Sequence, residues 1–93
     1  MKATDLLCNI LKDFGVTEIF GVTGGSNLHI LKSAHDIGLN VTYTHHEQAA
    51  SFSADAATRI SRIPQACFTT TGPAGTNAIT GVLTSWLDSV PQI

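Results

Sequence analysis

Charge is scarce in this sequence, and what there is does not cluster. Only 13% of the 93 residues are Asp, Glu, Lys or Arg, the net charge is −2, and there is no basic run. The chain therefore has no electrostatic footprint for nucleic acid or for an anionic membrane surface. No apolar run approaches the roughly 20 residues that a membrane-spanning helix needs. The opening stretch, MKATDLLCNILKDFG, carries Asp5 inside its apolar part and no small-residue cleavage site after it, which makes a poor signal peptide. Cysteine is nearly absent as well. Cys8 and Cys67 stand far apart in apolar surroundings without CxxC spacing, and they read as reduced core residues of a cytoplasmic protein.

A hydrophobic content of 43% is ample for a core. Leu6, Leu7, Ile10, Leu11 and Phe14 recur at helical spacing, with Thr4 as the expected cap, Gly15 as a stop, and Asp5, Lys12 and Asp13 on the other side. TEIFGV (17–22) is a short strand closed by TGGSN. NLHILKSAHDIG then predicts a helix capped by Ser26 or Asn27 and ended by Gly38. The unit repeats twice: NVTYTH as strand with EQAASFSADAATRIS as helix, and QACFTTT as strand with GTNAITGVLTSWLDS as helix. Strands separated by helices of this length pair in parallel, so the expected fold is α/β, a three-layer open parallel sheet with helices on both faces. The 47–61 helix is small-sided nearly all round, which suits burial on two sides in the core or at a subunit interface. VPQI (90–93) reads as the start of a fourth strand. Residues 1–93 are thus expected to be the N-terminal part of one domain, truncated in that strand.

Two glycine-rich turns follow strands and open helices, GVTGGSN (21–27) and TTGPAGTN (70–77). Both lie where an open α/β sheet places its ligands, at the carboxyl ends of strands. Amides at a helix start favour anions, so phosphate is the first expectation at either turn. The first turn is not G-x-G-x-x-G, however, and no Lys follows the second as a Walker loop requires. Turning a strand into a helix is reason enough for such glycines. His45 and His46 are adjacent, so on a strand they point to opposite faces and do not clasp one metal. His29 and His35 are widely separated around their helix and suit its surface or the core edge. Glu47 has two readings. An acid in the first turn of a helix is a favourable partner for the macrodipole. An acid at the end of a middle strand, with no Lys or Arg within ten residues and leading into a buried helix, is instead placed to stay protonated and donate a hydrogen bond.

Four stretches in order, FGVTGG (20–25), HHEQAASFSADAATR (45–59), TTGPAGTNAITG (70–81) and SWLDSVP (85–91), resemble the N-terminal, pyrimidine-binding domain of thiamine diphosphate-dependent enzymes. The group in question holds acetolactate synthase, pyruvate oxidase and benzoylformate decarboxylase, and the resemblance covers essentially the whole chain. It implies that the acid at Glu47 hydrogen-bonds N1′ of the cofactor's aminopyrimidine and drives the proton relay that activates the thiazolium C2 carbon. Decarboxylation or carboligation of a 2-keto acid follows. Thr23, where the family commonly carries proline, and Gly24 would line the aminopyrimidine pocket, and Thr71, Gly72 and Asn77 would lie near the pyrimidine or the substrate. The resemblance assigns the diphosphate and its Mg2+ to a separate C-terminal domain with a GDG-type motif that this chain lacks, which overrides a phosphate at the second turn. The complete site would form with the diphosphate-binding domain of a second subunit, in a homodimer or homotetramer. This chain alone would be inactive, and a flavin, FAD, accompanies the cofactor in some members. The rival readings are a nucleotide- or anion-binding α/β module and a non-catalytic remnant that only associates with partner subunits.

Overall fold

A computed structural model describes residues 1–93. In chain order its elements are α1 (Ala3–Asp13), β1 (Glu18–Gly21), α2 (Leu28–Asp36), β2 (Asn40–Tyr43), α3 (Glu47–Ser61), β3 (Ala66–Phe68), α4 (Pro73–Asn77) and α5 (Ile79–Leu87). The strands form one parallel sheet in the order β2-β1-β3, with Ile19 of β1 registered against Val41 and Ala66. Ile93 adds to the ladder beside β3, donating its N–H to the Gln65 carbonyl at 3.0 Å and accepting from the Cys67 N–H at 2.9 Å.

Side chains alternate across a strand, and here the alternation separates two cores. Ile19, Ala66 and Phe68 turn to one face and close around Cys8 of α1, Leu31 and Ala34 of α2, Val16 and Leu39. Phe20 turns to the other face and meets Ala50 and Ala54 of α3. The α/β expectation of helices on both faces therefore holds. One side carries an extra layer, because α5 covers α3 from outside. That contact is close: a Cβ built on Gly81 would stand 1.9 Å from Ser51 Oγ and 3.0 Å from the Phe52 backbone nitrogen. The small residues of α3 are needed because the helix is pressed between the sheet and another helix. The outward side of α5 leaves Ile79, Val82, Leu83, Trp86 and Leu87 exposed.

Three local expectations are corrected. Lys2 rather than Thr4 precedes α1, and the Asp5 carboxylate accepts from the Lys2 N–H at 2.8 Å. Asp5 is not on a solvated face: Ser33 of α2 donates to it at 2.6 Å, and the Thr4 hydroxyl donates in turn to Ser33 at 2.8 Å. The single helix expected over 75–89 is two, starting earlier at Pro73 and interrupted at Ala78. Pro73 fits a first helical position, where its missing N–H leaves nothing unsatisfied, and Ala78 bonds back only three residues, to the Gly75 carbonyl at 3.2 Å.

Candidate functional site

In a parallel sheet all strands end on the same edge. β1 is the middle strand, so the turn that follows it lies between the exits of β2 and β3. At that edge Gly21 has no room for a side chain, since a Cβ would come within 2.3 Å of the Phe68 carbonyl oxygen. Its two register partners, Tyr43 and Phe68, meet edge to face with ring centroids 6.4 Å apart.

The turn after β1 is held by side chains. A Cβ on Gly24 would lie 2.5 Å from Thr70 Cβ, so the turns after β1 and β3 are in direct contact. Ser26 and Thr70 share a hydroxyl hydrogen bond at 2.6 Å, and the Ser26 N–H donates to Thr70 Oγ1 at 3.4 Å. Asn27 is 1% exposed. It precedes α2 as expected but makes no capping bond with its side chain. Its Oδ1 accepts from the Gly24 N–H at 3.0 Å and its Nδ2 donates to the Val22 carbonyl at 3.1 Å.

After β3 the chain turns through Gly72, whose φ of +75° lies in the region that glycine tolerates best. Thr71, Gly72 and Asn77 are exposed, as is Thr23 of the first turn, while Gly24 is half-buried. After β2, Thr44 continues the ladder by one bond to the Gly21 carbonyl at 2.8 Å and turns its hydroxyl onto the His46 carbonyl at 2.9 Å. His46 caps α3, its Nδ1 accepting from the Gln48 N–H at 3.0 Å. Glu47 is the first residue of that helix. It is half-buried rather than enclosed, and its carboxylate takes part in none of the side-chain hydrogen bonds or ion pairs of the fold. Glu47, the Thr23–Gly24 turn and the Thr71–Asn77 segment therefore share one edge of the sheet.

β2 stops at Tyr43, so His45 and His46 do not occupy a strand as expected; both are exposed. His29 and His35 are exposed on α2, and His35 Nε2 bonds the Tyr43 hydroxyl at 3.1 Å. No group of three or more His, Cys, Asp or Glu side chains is arranged to hold a metal ion. No helix is long and apolar enough to cross a membrane. Both cysteines are unpaired, and burial pushes both thiols up, with the Asp5 charge adding to the effect at Cys8.

The strongest electrostatics are remote from the glycine turns, in the second half of α3. Asp55 is 5% exposed. Its carboxylate accepts from Arg59 Nε at 2.6 Å and from the Ser85 hydroxyl at 2.5 Å, and Gln92 Nε2 donates to that same hydroxyl. The Arg59 guanidinium, reinforced by Ser85, holds the Asp55 carboxyl below the usual carboxylate range although burial opposes it. Asp88 bonds Arg59 from the far side at 2.6 Å. The roomiest cavity, about 440 Å³, lies beside this network, lined by Thr58, Arg59, Arg62, Ser89, Val90 and Pro91. None of these six is a residue the sequence singled out as functional.

Sequence reasoning missed Ser26, Asn27 and Thr70 as parts of one structure. The available signal was a pair of short polar residues directly after a double glycine, together with a threonine before the second glycine turn.

Comparison with known proteins covers the same residues. The family described as thiamine pyrophosphate enzyme, N-terminal TPP binding domain, matches residues 1–93. The chain is 36% identical over 93 residues to a probable 2-ketoarginine decarboxylase of Pseudomonas aeruginosa, covering all of this chain and 17% of that protein. It is 39% identical over 93 residues to a probable acetolactate synthase large subunit of Methanocaldococcus jannaschii, covering 100% of this chain and 16% of that protein. It is 35% identical over 94 residues to the acetolactate synthase isozyme 3 large subunit of Escherichia coli, again covering 100% of this chain and 16% of the relative. The chain thus spans about one sixth of the length of the relatives it matches.

Proposed function

Because the chain belongs to the thiamine pyrophosphate enzyme family, as its N-terminal TPP-binding domain, we propose that it supplies the aminopyrimidine half of a thiamine diphosphate site in an enzyme acting on 2-keto acids. The observation that carries this reading is the half-buried Glu47, whose carboxylate is not spent on another side chain, on the same sheet edge as two glycine turns pressed against each other. The residues fit such a ring. Gly72 has nothing within 4 Å of where a Cβ would stand, so a flat heterocycle can approach its backbone closely. Glu47 offers a carboxyl group, which in its protonated form donates a hydrogen bond to a ring nitrogen and in its ionised form only accepts.

Thiamine diphosphate, when bound, supplies the electron sink for breaking or making a bond at the keto carbon. This chain's share is to hold a proton at one atom and to orient one ring. Glu47 would hold a proton at N1′ of the aminopyrimidine, which would be this chain's general acid-base contribution. Thr23 and Gly24 would line the aminopyrimidine pocket, and Thr71, Gly72 and Asn77 would lie near the pyrimidine or the substrate. Neither glycine turn carries Lys or Arg. We therefore assign the diphosphate and Mg2+ to a separate domain belonging to a second subunit of a cytoplasmic assembly. The exposed apolar side of α5 supports assembly, since an apolar patch of that extent on a small domain marks an interaction surface.

Calorimetric titration of the full-length protein that carries this chain tests the reading. Saturable binding of thiamine diphosphate in the presence of Mg2+, with none of ATP or NAD, is expected. Binding of a nucleotide instead, unaffected by Glu47→Gln, would overturn it in favour of an anion-binding module.

A further inference from the structure

The segment 22–27 contains two adjacent glycines and connects the middle strand to α2. Glycines give a backbone wide conformational freedom. A wall built from such a segment recognises a ring only if something else fixes its shape. Asn27 is placed to do so. Its amide is buried, and both of its ends are bonded to the turn, to the Val22 carbonyl on one side of Thr23 and to the Gly24 N–H on the other. A carbonyl can accept only a donor and an NH2 group can satisfy only an acceptor, so the amide has one orientation here. The two bonds bracket Thr23 and leave its side chain at the surface. The Ser26–Thr70 hydroxyl bond then ties this turn to the one after β3, at the point where Gly24 has no room for a Cβ against Thr70.

We infer that Asn27, Ser26 and Thr70 are positioning residues: together they join the two glycine turns into one rigid wall that exists before any ligand arrives. Their importance for thiamine diphosphate rests on the function proposed above, whereas the rigid wall itself does not. A ligand binds with an apparent affinity reduced by the fraction of time its site is correctly formed. Loosening the wall should therefore weaken cofactor binding and leave turnover at saturating cofactor nearly unchanged.

The test uses the full-length protein and two readouts, hydrogen exchange of the 23–26 amides without cofactor and the dissociation constant for thiamine diphosphate with Mg2+. Thr70→Val keeps the shape and removes the hydroxyl, and Ser26→Ala removes its partner. Both positions are exposed or half-buried, which keeps the test available if Asn27→Ala does not fold. In Thr70→Val we expect faster exchange at Ser26, and in Asn27→Ala faster exchange at Gly24. In each, the dissociation constant should rise about tenfold, as for a wall formed roughly a tenth of the time, with turnover at saturation within about twofold. Thr70→Ser should restore both readouts. Unchanged exchange in Thr70→Val and Asn27→Ala would overturn the rigid wall. Faster exchange with an unchanged dissociation constant would reduce these residues to local structure and overturn the positioning role. If the unaltered protein binds no thiamine diphosphate while the variants still exchange faster, the cofactor assignment fails and the wall stands.

Discussion

On one face of the sheet, Leu31, Leu39, Ile19 and Phe68 close around Cys8 and Val16. On the other, Phe20 meets Ala50 and Ala54 of α3, and Ser51 of α3 meets Gly81 of α5 outside it. The first face is filled by side-chain volume, whereas the second is closed by bringing backbones together and cross-linking them with Asp55, Arg59, Ser85 and Gln92. The difference matters for the site because each face positions a different part of it. The volume-filled face carries Asn27 and the start of α2. The close-packed face carries α3, with Glu47 on its first turn. Where Glu47 stands therefore depends on how near α3 can come to the sheet and to α5.

If the faces are built in these opposite ways, removing volume should harm one and adding it should harm the other. Leu31→Ala leaves a cavity in the apolar face and should cost about 2–5 kcal/mol in urea unfolding. Gly81→Ala adds one methyl group where the nearest atom is 1.9 Å away. It should cost about 1–3 kcal/mol, because the adjoining Phe52 backbone as well as the Ser51 side chain must give way. A neutral outcome for Gly81→Ala would break the comparison.

The polar cross-link should show its own signature in acid. The folded pKa of Asp55 is lowered, so its stabilising contribution is fully present above the ordinary carboxylate value of about 4 and is lost as pH falls through the lower folded value. Asp55→Asn should be less stable than the unaltered chain at pH 7 and should lose less on acidification below about pH 4. Some acid sensitivity should remain, because Asp5 is likewise held low, chiefly by the Ser33 hydroxyl. Parallel stability profiles for the two proteins would show that Asp55 is not linked to folding.

The alternation of strands and helices was legible because each strand is short and carries β-branched or aromatic residues, and because Gly15 and Gly38 punctuate the first two helices. The bounds of α3 agreed with the sequence reading to the residue, since the extended His46 and the left-handed Arg62, with φ of 62°, mark abrupt ends. The α4–α5 region was less legible. Its apolar pattern runs on without a break, and the interruption at Ala78 comes from backbone bonding that pattern does not encode. The cap of α1 was misread because Thr4 and Asp5 find their partner in Ser33, 28 or 29 residues away. For the site, the sequence put Thr23, Gly24, Glu47, Thr71, Gly72 and Asn77 at strand exits, and the fold gathers these exits on one edge. What it did not reveal is the tie from the first turn to Thr70, because a bond spanning 44 residues, Ser26 to Thr70, leaves no periodic trace.

The role proposed for Glu47 is the centre of the account, and exchange of the C2 hydrogen of thiamine diphosphate bound to the full-length protein measures it directly. In Glu47→Gln the exchange rate should fall about a hundred- to ten-thousandfold, the usual worth of a positioned proton-transfer group, with the cofactor still bound. An exchange rate equal to that of the unaltered protein would remove Glu47 from the chemistry and contradict the proposed site.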